Sequence, residues 1–404
     1  MRVVVMGLLA LVAVGLGQLI APYVPKSIAE TVDASSADRL LQLIASAMLA
    51  VTIFSITVMV SVYQSSSSQW TPRVHRLIMQ DRVTQNTMAV FIGAYVYALL
   101  GIILQELGVY DDERAFVVFW MTVLVLAVIV IYLIRWVLHL QGFGQLVDTS
   151  RQIEEVTRAQ FKERLSQPCL GGRPFTGDFP DSAKPVPAWE SGYIRQIYPE
   201  ALNSVAEQYD MRVYLTRSVG SFVSVGESLM SVESTGDDLD WDAMIADVKE
   251  TVILGDLREY DQDPRFGLIV MSEIGSKALS PGVNDPGTAI DVINRIGRIL
   301  SYYKDETETE PETLLAHLHV APIDPVDLLQ DGFGAISRNG ADTLEVQQRL
   351  QQTLSGLMRH PDKGLSRAAR DLAKQELARG LAALTFEPDR DALIASADAD
   401  VRPK

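Results

Sequence analysis

The sequence predicts a membrane α-helical domain of four transmembrane helices joined to a cytoplasmic α+β soluble domain with a small β module and a helical C-terminal part. Three observations predict it. First, four long apolar runs fill the first third of the chain, at Val3 to Ile20, Leu40 to Val62, Met88 to Leu104 and Phe116 to Leu138, with no Asp, Glu or Lys inside any of them. A bilayer's hydrocarbon core needs about 20 apolar helical residues to cross it, and each run meets or approaches that length. Second, residues 1–144 hold 8 basic and 8 acidic side chains, so the formal charge of -16 lies entirely in the remainder, 27 basic against 43 acidic. Third, that remainder alternates between glycine-punctuated β-branched stretches and segments of helical period.

Charges between the runs set the orientation, because cytoplasmic loops retain Lys and Arg. Arg2 precedes the first run; Arg73, Arg76 and Arg82 follow the second; Arg151, Arg158, Lys162 and Arg164 follow the fourth. Those segments are expected inside, which makes both termini cytoplasmic in an inner, multi-pass membrane protein. The intervening loops, with Glu30, Asp33 and Asp38, then Glu106, Asp111, Asp112 and Glu113, are expected outside. Ser27 and Ala29 form a small-x-small site, so the first run has a rival reading as a cleaved signal peptide, but it exceeds the usual signal core of roughly 7 to 15 residues.

The second run carries Ser46, Ala50, Thr57 and Ser61 on one helical face, continued by Gln64. Close helix packing is the bland explanation of such a stripe, and the wall of a hydrated pathway the sharp one. The third run repeats small residues at Ala89, Gly93 and Gly101, with Ala94, Tyr97 and Ala98, and is expected at the centre of the bundle. The fourth is aliphatic around most of its circumference, which suits a lipid-facing helix. Ser65 to Gln69 is expected to be solvated loop or an extension of the second helix, with Thr71 and Pro72 starting the next.

Beyond Gly142, Leu146 to Leu165 reads as an amphipathic connecting helix, and the Pro- and Gly-rich stretch from Pro168 to Pro187 as a linker. The expected domain limits are therefore 1–144 for the membrane helices, 145–188 for the connector, 189–388 for the α+β domain and 389–404 for an acidic, frayed tail. Ser191 to Gln208 suggests a helix and Met211 to Leu215 a strand. Gly220 and Gly226 punctuate β-branched residues through Val232, as in short strands joined by tight turns. Helices are expected over Val326 to Ser337, Thr343 to Met358 and Leu365 to Leu384.

The most distinctive soluble stretch is Arg258 to Gly267 followed by Lys277-Ala278-Leu279-Ser280-Pro281-Gly282-Val283-Asn284-Asp285-Pro286-Gly287-Thr288-Ala289. With Thr71-Pro72-Arg73, Ser191-Gly192-Tyr193 and the four-span front end, it resembles the bacterial family of predicted membrane proteins described as domain of unknown function 2254. The resemblance covers nearly the whole chain. It implies location and architecture, and no activity that can be carried onto particular residues.

Local chemistry offers two readings of that stretch. Asp285-Pro286 is an ordinary helix start, with Ser280, Gly282 and Asn284 forming a tight loop before it. Alternatively, Arg258, Asp261, Asp263, Lys277, Ser280, Gly282, Asn284 and Asp285 form a ligand-binding site, Arg265 adding charge. Asp261, Asp263, Glu273 and Asp285 also supply carboxylates that a membrane-anchored enzyme acting at the Asp261/Asp263 and Asn284/Asp285 loops would need. Their spacing matches no metal loop, and His317 and His319, which would share one face of a strand, are too few for a zinc site. The lone Cys169 has no partner for a disulfide.

No cofactor and no metal are implied. The acidic domain should be repelled by nucleic acid and anionic lipid headgroups. The expected partners are the bilayer, a second copy of the chain in a homo-oligomer, and a small ligand of unspecified kind. The leading functional expectation is a channel-like or signalling membrane protein whose state is set by a cytoplasmic regulatory domain; a membrane-anchored enzyme is the alternative.

Overall fold

The computed structural model describes residues 34–69, 71–74, 81–108, 112–142, 146–234 and 240–403, together with Val12 and Gly15. The predicted first span lies outside these residues except for those two. The chain divides into two compact units, Met1–Thr149 and Ser150–Lys404.

In the first unit, α1 is Ala34–Gln69, α2 is Arg82–Glu106 and α3 is Asp112–Gly142. Among the described residues these are the three helices long and apolar enough to cross a membrane, over Ser35–Gln64, Arg82–Glu106 and Phe116–Leu140. α1 continues through Ser65–Ser68 to Gln69, so that polar stretch is helix rather than loop. Residues 72–74 are helical as the Thr71-Pro72 pair predicts, although the Thr71 hydroxyl makes no hydrogen bond among the described residues.

The small residues of the third run lie where expected: Gly93, Ala94, Ala98 and Gly101 of α2 are buried. A Cβ on Gly101 would come within 2.9 Å of the Leu41 side chain on α1, so a larger residue there would displace that leucine. Across the α2/α3 seam the buried Tyr97 hydroxyl meets Thr122 Oγ1 at 3.1 Å, and Thr122 also donates to Val118 O. Asp81 caps α2 through the Thr84 N–H and reaches His139 Nε2 at 2.9 Å, tying the start of α2 to the end of α3.

The hydroxyl stripe on α1 does not pack into this bundle. Ser46, Thr57, Ser61 and Gln64 are exposed, whereas Leu41, Ile44, Met48 and Ser55 are buried. Ser55 follows Ser46 by nine residues, about two and a half turns, which places it on the opposite side of the helix. The Ser46 and Thr57 hydroxyls need no outside partner, because Ser46 donates to Gln42 O and Thr57 to Ile53 O.

The second unit contains most of α4 (Leu146–Ser166), then β1 (Arg173–Pro174), β2 (Lys184–Pro187), β3 (Gly192–Ile197), α5 (Pro199–Gln208), β4 (Met211–Leu215), β5 (Phe222–Val223), β6 (Ser228–Ser234), α6 (Trp241–Lys249) and β7 (Val252–Gly255). A helical part follows: α7 (Pro264–Ala278), α8 (Pro286–Leu300), β8 (Leu318–Val320), α9 (Pro325–Asn339), α10 (Leu344–Leu357), α11 (Lys363–Ala383) and α12 (Glu387–Ser396). This is the expected α+β region with a helical C-terminal part. Two details differ. The segment 192–197 is a strand, with helix beginning only at Pro199, because Pro cannot donate to a ladder but suits a first helical turn. The residues expected as a linker, 168–187, contain β1 and β2, the two edge strands of a sheet.

That sheet has the order β1-β8-β4-β6-β2, and a second has the order β5-β3-β7. β8 runs parallel to both β1 and β4, while β6 is antiparallel to β4 and β2. Val213, Leu318 and Val232 stand in one row and face a shared core with Ile194, Val223 and Leu254 of the smaller sheet and Leu202 and Met244 of α5 and α6. The opposite face carries Tyr214 stacked on His319, 4.9 Å between ring centroids, with Phe175 against Tyr214. Burial, then Arg173 and Arg212, lower the His319 pKa and favour the neutral ring. His317 bonds Met211 O instead.

The C-terminal tail is folded. Leu393 and Val401 are buried, and Asp398 accepts from Ser355 on α10. α4 is pinned to α8 by Glu154, which accepts from Arg295 at 2.7 Å and from Arg298 at 2.8 and 3.0 Å.

Candidate functional site

The residues singled out in the sequence fall into two groups at opposite ends of α7. Asp263 is the N-cap, 2% exposed, accepting from the Phe266 N–H and from Arg258 at 2.9 and 3.0 Å. Asp285 caps α8, beyond the other end, accepting from the Thr288 N–H and hydroxyl. α7 has 15 residues, about 22 Å of helix, so Asp261 and Asp263 form no joint acid pair with Asp285 in the Asn284-Asp285 loop.

The Ser280 to Asp285 loop is satisfied by its own chain. Val283 and Asn284 N–H groups donate to Ser280 O, Asp285 N–H donates to Ala278 O, and the Ser280 hydroxyl donates to Lys277 O. Asn284 adopts φ 51°, the left-handed turn that Asn tolerates. Gly282 and Asn284 are exposed. The loop connects α7 to α8, which starts at Asp285-Pro286.

The Asp263 end is different, because it borders a cavity of about 200 Å³. β4 and β8 pair in parallel with Leu215 opposite Val320, and both chains leave the sheet there as Thr216-Arg217-Ser218-Val219 and Ala321-Pro322-Ile323-Asp324. The N-terminus of α7 at Asp263 to Arg265 and that of α9, capped by Asp324, close the opposite side. Cavities at the carboxyl ends of parallel strands, next to helix N-termini, are the usual ligand sites of sheets with parallel strands. Leu170, Ile197, Leu215, Val219 and Val320 give apolar walls, and Arg164, Arg217, Arg265, Asp324 and Asp327 give charge. A smaller cavity of about 50 Å³ shares Arg164, Leu170 and Gln262 with it.

Glu306 holds the floor of this site together. It is 2% exposed and accepts four bonds, from Arg164 Nε (2.6 Å) and Nη2 (3.1 Å), Cys169 N (3.0 Å) and Ile323 N (2.7 Å). A buried carboxylate needs this degree of pairing to remain charged. The turn it grips is strained, with Cys169, Leu170 and Gly171 all left-handed at φ 53°, 55° and 81°. Gln262, at φ 55°, is held on the other wall by donating its N–H to Gln160 and accepting from the Ile197 N–H. Burial first, then the Glu306 carboxylate, push the Cys169 thiol up to about 12, so it stays protonated and unreactive.

The remaining arginines are already matched. Arg265 pairs with Asp327 and Asp331 at 2.6 Å each, and Arg217 pairs with Glu227. Of the residues predicted from sequence, Asp263 and Arg265 line the cavity, with Arg258 paired to Asp263 and Asp261 exposed. Arg164, Glu306 and Asp324 are not among those predicted. One signal points to Asp324: Asp324-Pro325 repeats the Asp-Pro helix start of Asp263-Pro264 and Asp285-Pro286. Among the described residues, no group of three or more His, Cys, Asp or Glu side chains could hold a metal ion.

Comparison with known proteins agrees with the membrane helices. An uncharacterized protein of Mycobacterium bovis is 28% identical over 266 residues, and one of Mycobacterium tuberculosis matches equally, each alignment covering 62% of this chain and 48% of the relative. The matched part is thus about half the length of these curated relatives. No solved structure matches the chain. A family model described as predicted membrane protein (DUF2254) matches residues 1–356, and the chain belongs to that family.

Proposed function

We propose that this protein is a signalling membrane protein of the inner membrane, whose α+β unit lies in the cytoplasm and reads a small ligand. The cavity at the ends of β4 and β8 carries the proposal: it is concave, walled by apolar side chains and supplied with a few fixed charges, the combination that ligand sites use. The basic residues after the last span, Arg151, Arg158, Lys162 and Arg164, support the cytoplasmic placement. A conduit inside one chain's bundle loses its motive, since Ser46, Thr57, Ser61 and Gln64 are exposed on α1. A conduit lined by that face would require several copies around it, which makes a homo-oligomer its precondition.

Thermal unfolding of the full chain in detergent, against a panel of small metabolites, tests the ligand-reading role. A ligand at a hundred times its Kd stabilises by about 2.7 kcal/mol, a Tm rise of roughly 5–10 °C. Thr216→Trp, an exposed position at the cavity mouth, should abolish the rise without lowering the unliganded Tm. A rise that survives Thr216→Trp, or no rise with any metabolite, would overturn the proposal.

A further inference from the structure

We infer that the cavity takes a small zwitterion with an apolar side group, a molecule of the α-amino-acid type. The inference rests on the ligand-reading role above and specifies the ligand's chemistry. Arg164 supplies the negative-end receptor. Its side chain is 10% exposed, with Nε and Nη2 spent on Glu306, while Nη1 makes no hydrogen bond among the described residues. A guanidinium stays charged in a protein, and a carboxylate arriving from the cavity would give it a charge-assisted bond.

A simple anion does not fit the rest of the lining. Arg217 and Arg265 bring no spare positive charge, because Glu227 engages the first and Asp327 and Asp331 the second. Asp324, in contrast, has charge to offer. It is exposed at the cavity, and Oδ1 caps α9 through the Val326 N–H while Oδ2 accepts no hydrogen bond among the described residues. An ammonium group is the complement of that oxygen. Leu170, Ile197, Leu215 and Val219 also line the cavity, and they favour an aliphatic or other apolar side group over a further charge. The volume, about 200 Å³, suits one molecule of this size and is smaller than most drug-sized sites.

The test is isothermal titration of the full chain in detergent with the twenty standard amino acids. The amine and carboxylic acid analogues of the tightest binder, each lacking one charge, and inorganic phosphate are titrated alongside. An apolar amino acid should bind at least tenfold more tightly than either analogue. Asp324→Asn keeps a capping side chain, so the fold is retained; it should weaken the amino acid about tenfold and leave the acid analogue unchanged. Arg164→Lys should weaken the amino acid and the acid analogue together and leave the amine analogue unchanged. If the acid analogue or phosphate binds as tightly as the amino acid, or if Asp324→Asn has no effect, the zwitterion is overturned while the cavity remains a ligand site. Binding of no probe overturns the zwitterion also, and the wider role is then decided by the metabolite panel with Thr216→Trp.

Discussion

Gly220 packs its bare Cα against Asp263: a Cβ at Gly220 would collide with Asp263 Oδ2 and lie 2.6 Å from Arg258 Nη2. The turn after β4 is thereby seated on the buried ion pair that caps α7, and Gly220 also holds φ at +88°, where side chains are strained. Gly220→Ala should destabilise the protein by about 3 kcal/mol, through left-handed strain and displacement of a buried pair. Urea or thermal unfolding measures it. Gly226→Ala is the comparison, since φ there is +81° but a Cβ at that position would have no neighbour within 4 Å. A loss of about 1 kcal/mol is expected for it.

Glu306→Gln should lower Tm by roughly 10 °C, because an amide cannot accept from Arg164, Cys169 N and Ile323 N at once and leaves the guanidinium without its counter-charge. Differential scanning fluorimetry gives the shift. Glu308→Gln, two residues along and without a side-chain bond in the described residues, should leave Tm within about 1 °C.

Cys169 should resist alkylation. With the thiol pushed up to about 12, its reaction with iodoacetamide at pH 8 should run on the order of a thousandfold slower in the folded protein than in denaturant. Mass spectrometry of timed aliquots follows the reaction, and rapid labelling of the folded chain would contradict the buried Cys169–Glu306 arrangement.

Acid should weaken the hold of α4 on α8. Burial opposes the charge on Glu154, but hydrogen bonds from Arg298 and Arg295 outweigh it and hold its carboxyl below the ordinary value of 4.5. Its stabilising contribution is therefore complete above that value and lost as pH falls through the lowered one. Glu154→Gln should cost about 3 kcal/mol at pH 7. The gap between variant and wild type should narrow as pH falls below 4.5 and close only below the lowered value, as denaturant unfolding across the pH range will show.

How far the sequence discloses this molecule depends on the range of the interaction concerned. Apolar runs and the Asp285-Pro286 helix start are local, so the spans Leu40 to Val62, Met88 to Leu104 and Phe116 to Leu138 and the start of α8 are legible. The turns at Gly220 and Gly226 are legible for the same reason. The face that α1 buries is not, because Ser46 and Ser55 differ only in which neighbour they meet. The strand at 192–197 reads as helix because its apolar residues suit either period over so short a stretch. Most of the cavity is hidden for a simpler reason. Arg164 and Glu306 are 142 residues apart, and their pairing follows from tertiary packing that no spacing rule expresses.

Ligand reading at the carboxyl ends of β4 and β8 is tested most directly by hydrogen exchange of the full chain, with and without a low-molecular-weight bacterial metabolite fraction. Slowed exchange at Leu215 to Val219 and Ala321 to Asp324 is the predicted result. Unchanged exchange there, or protection centred on Ser280 to Asp285, would contradict it.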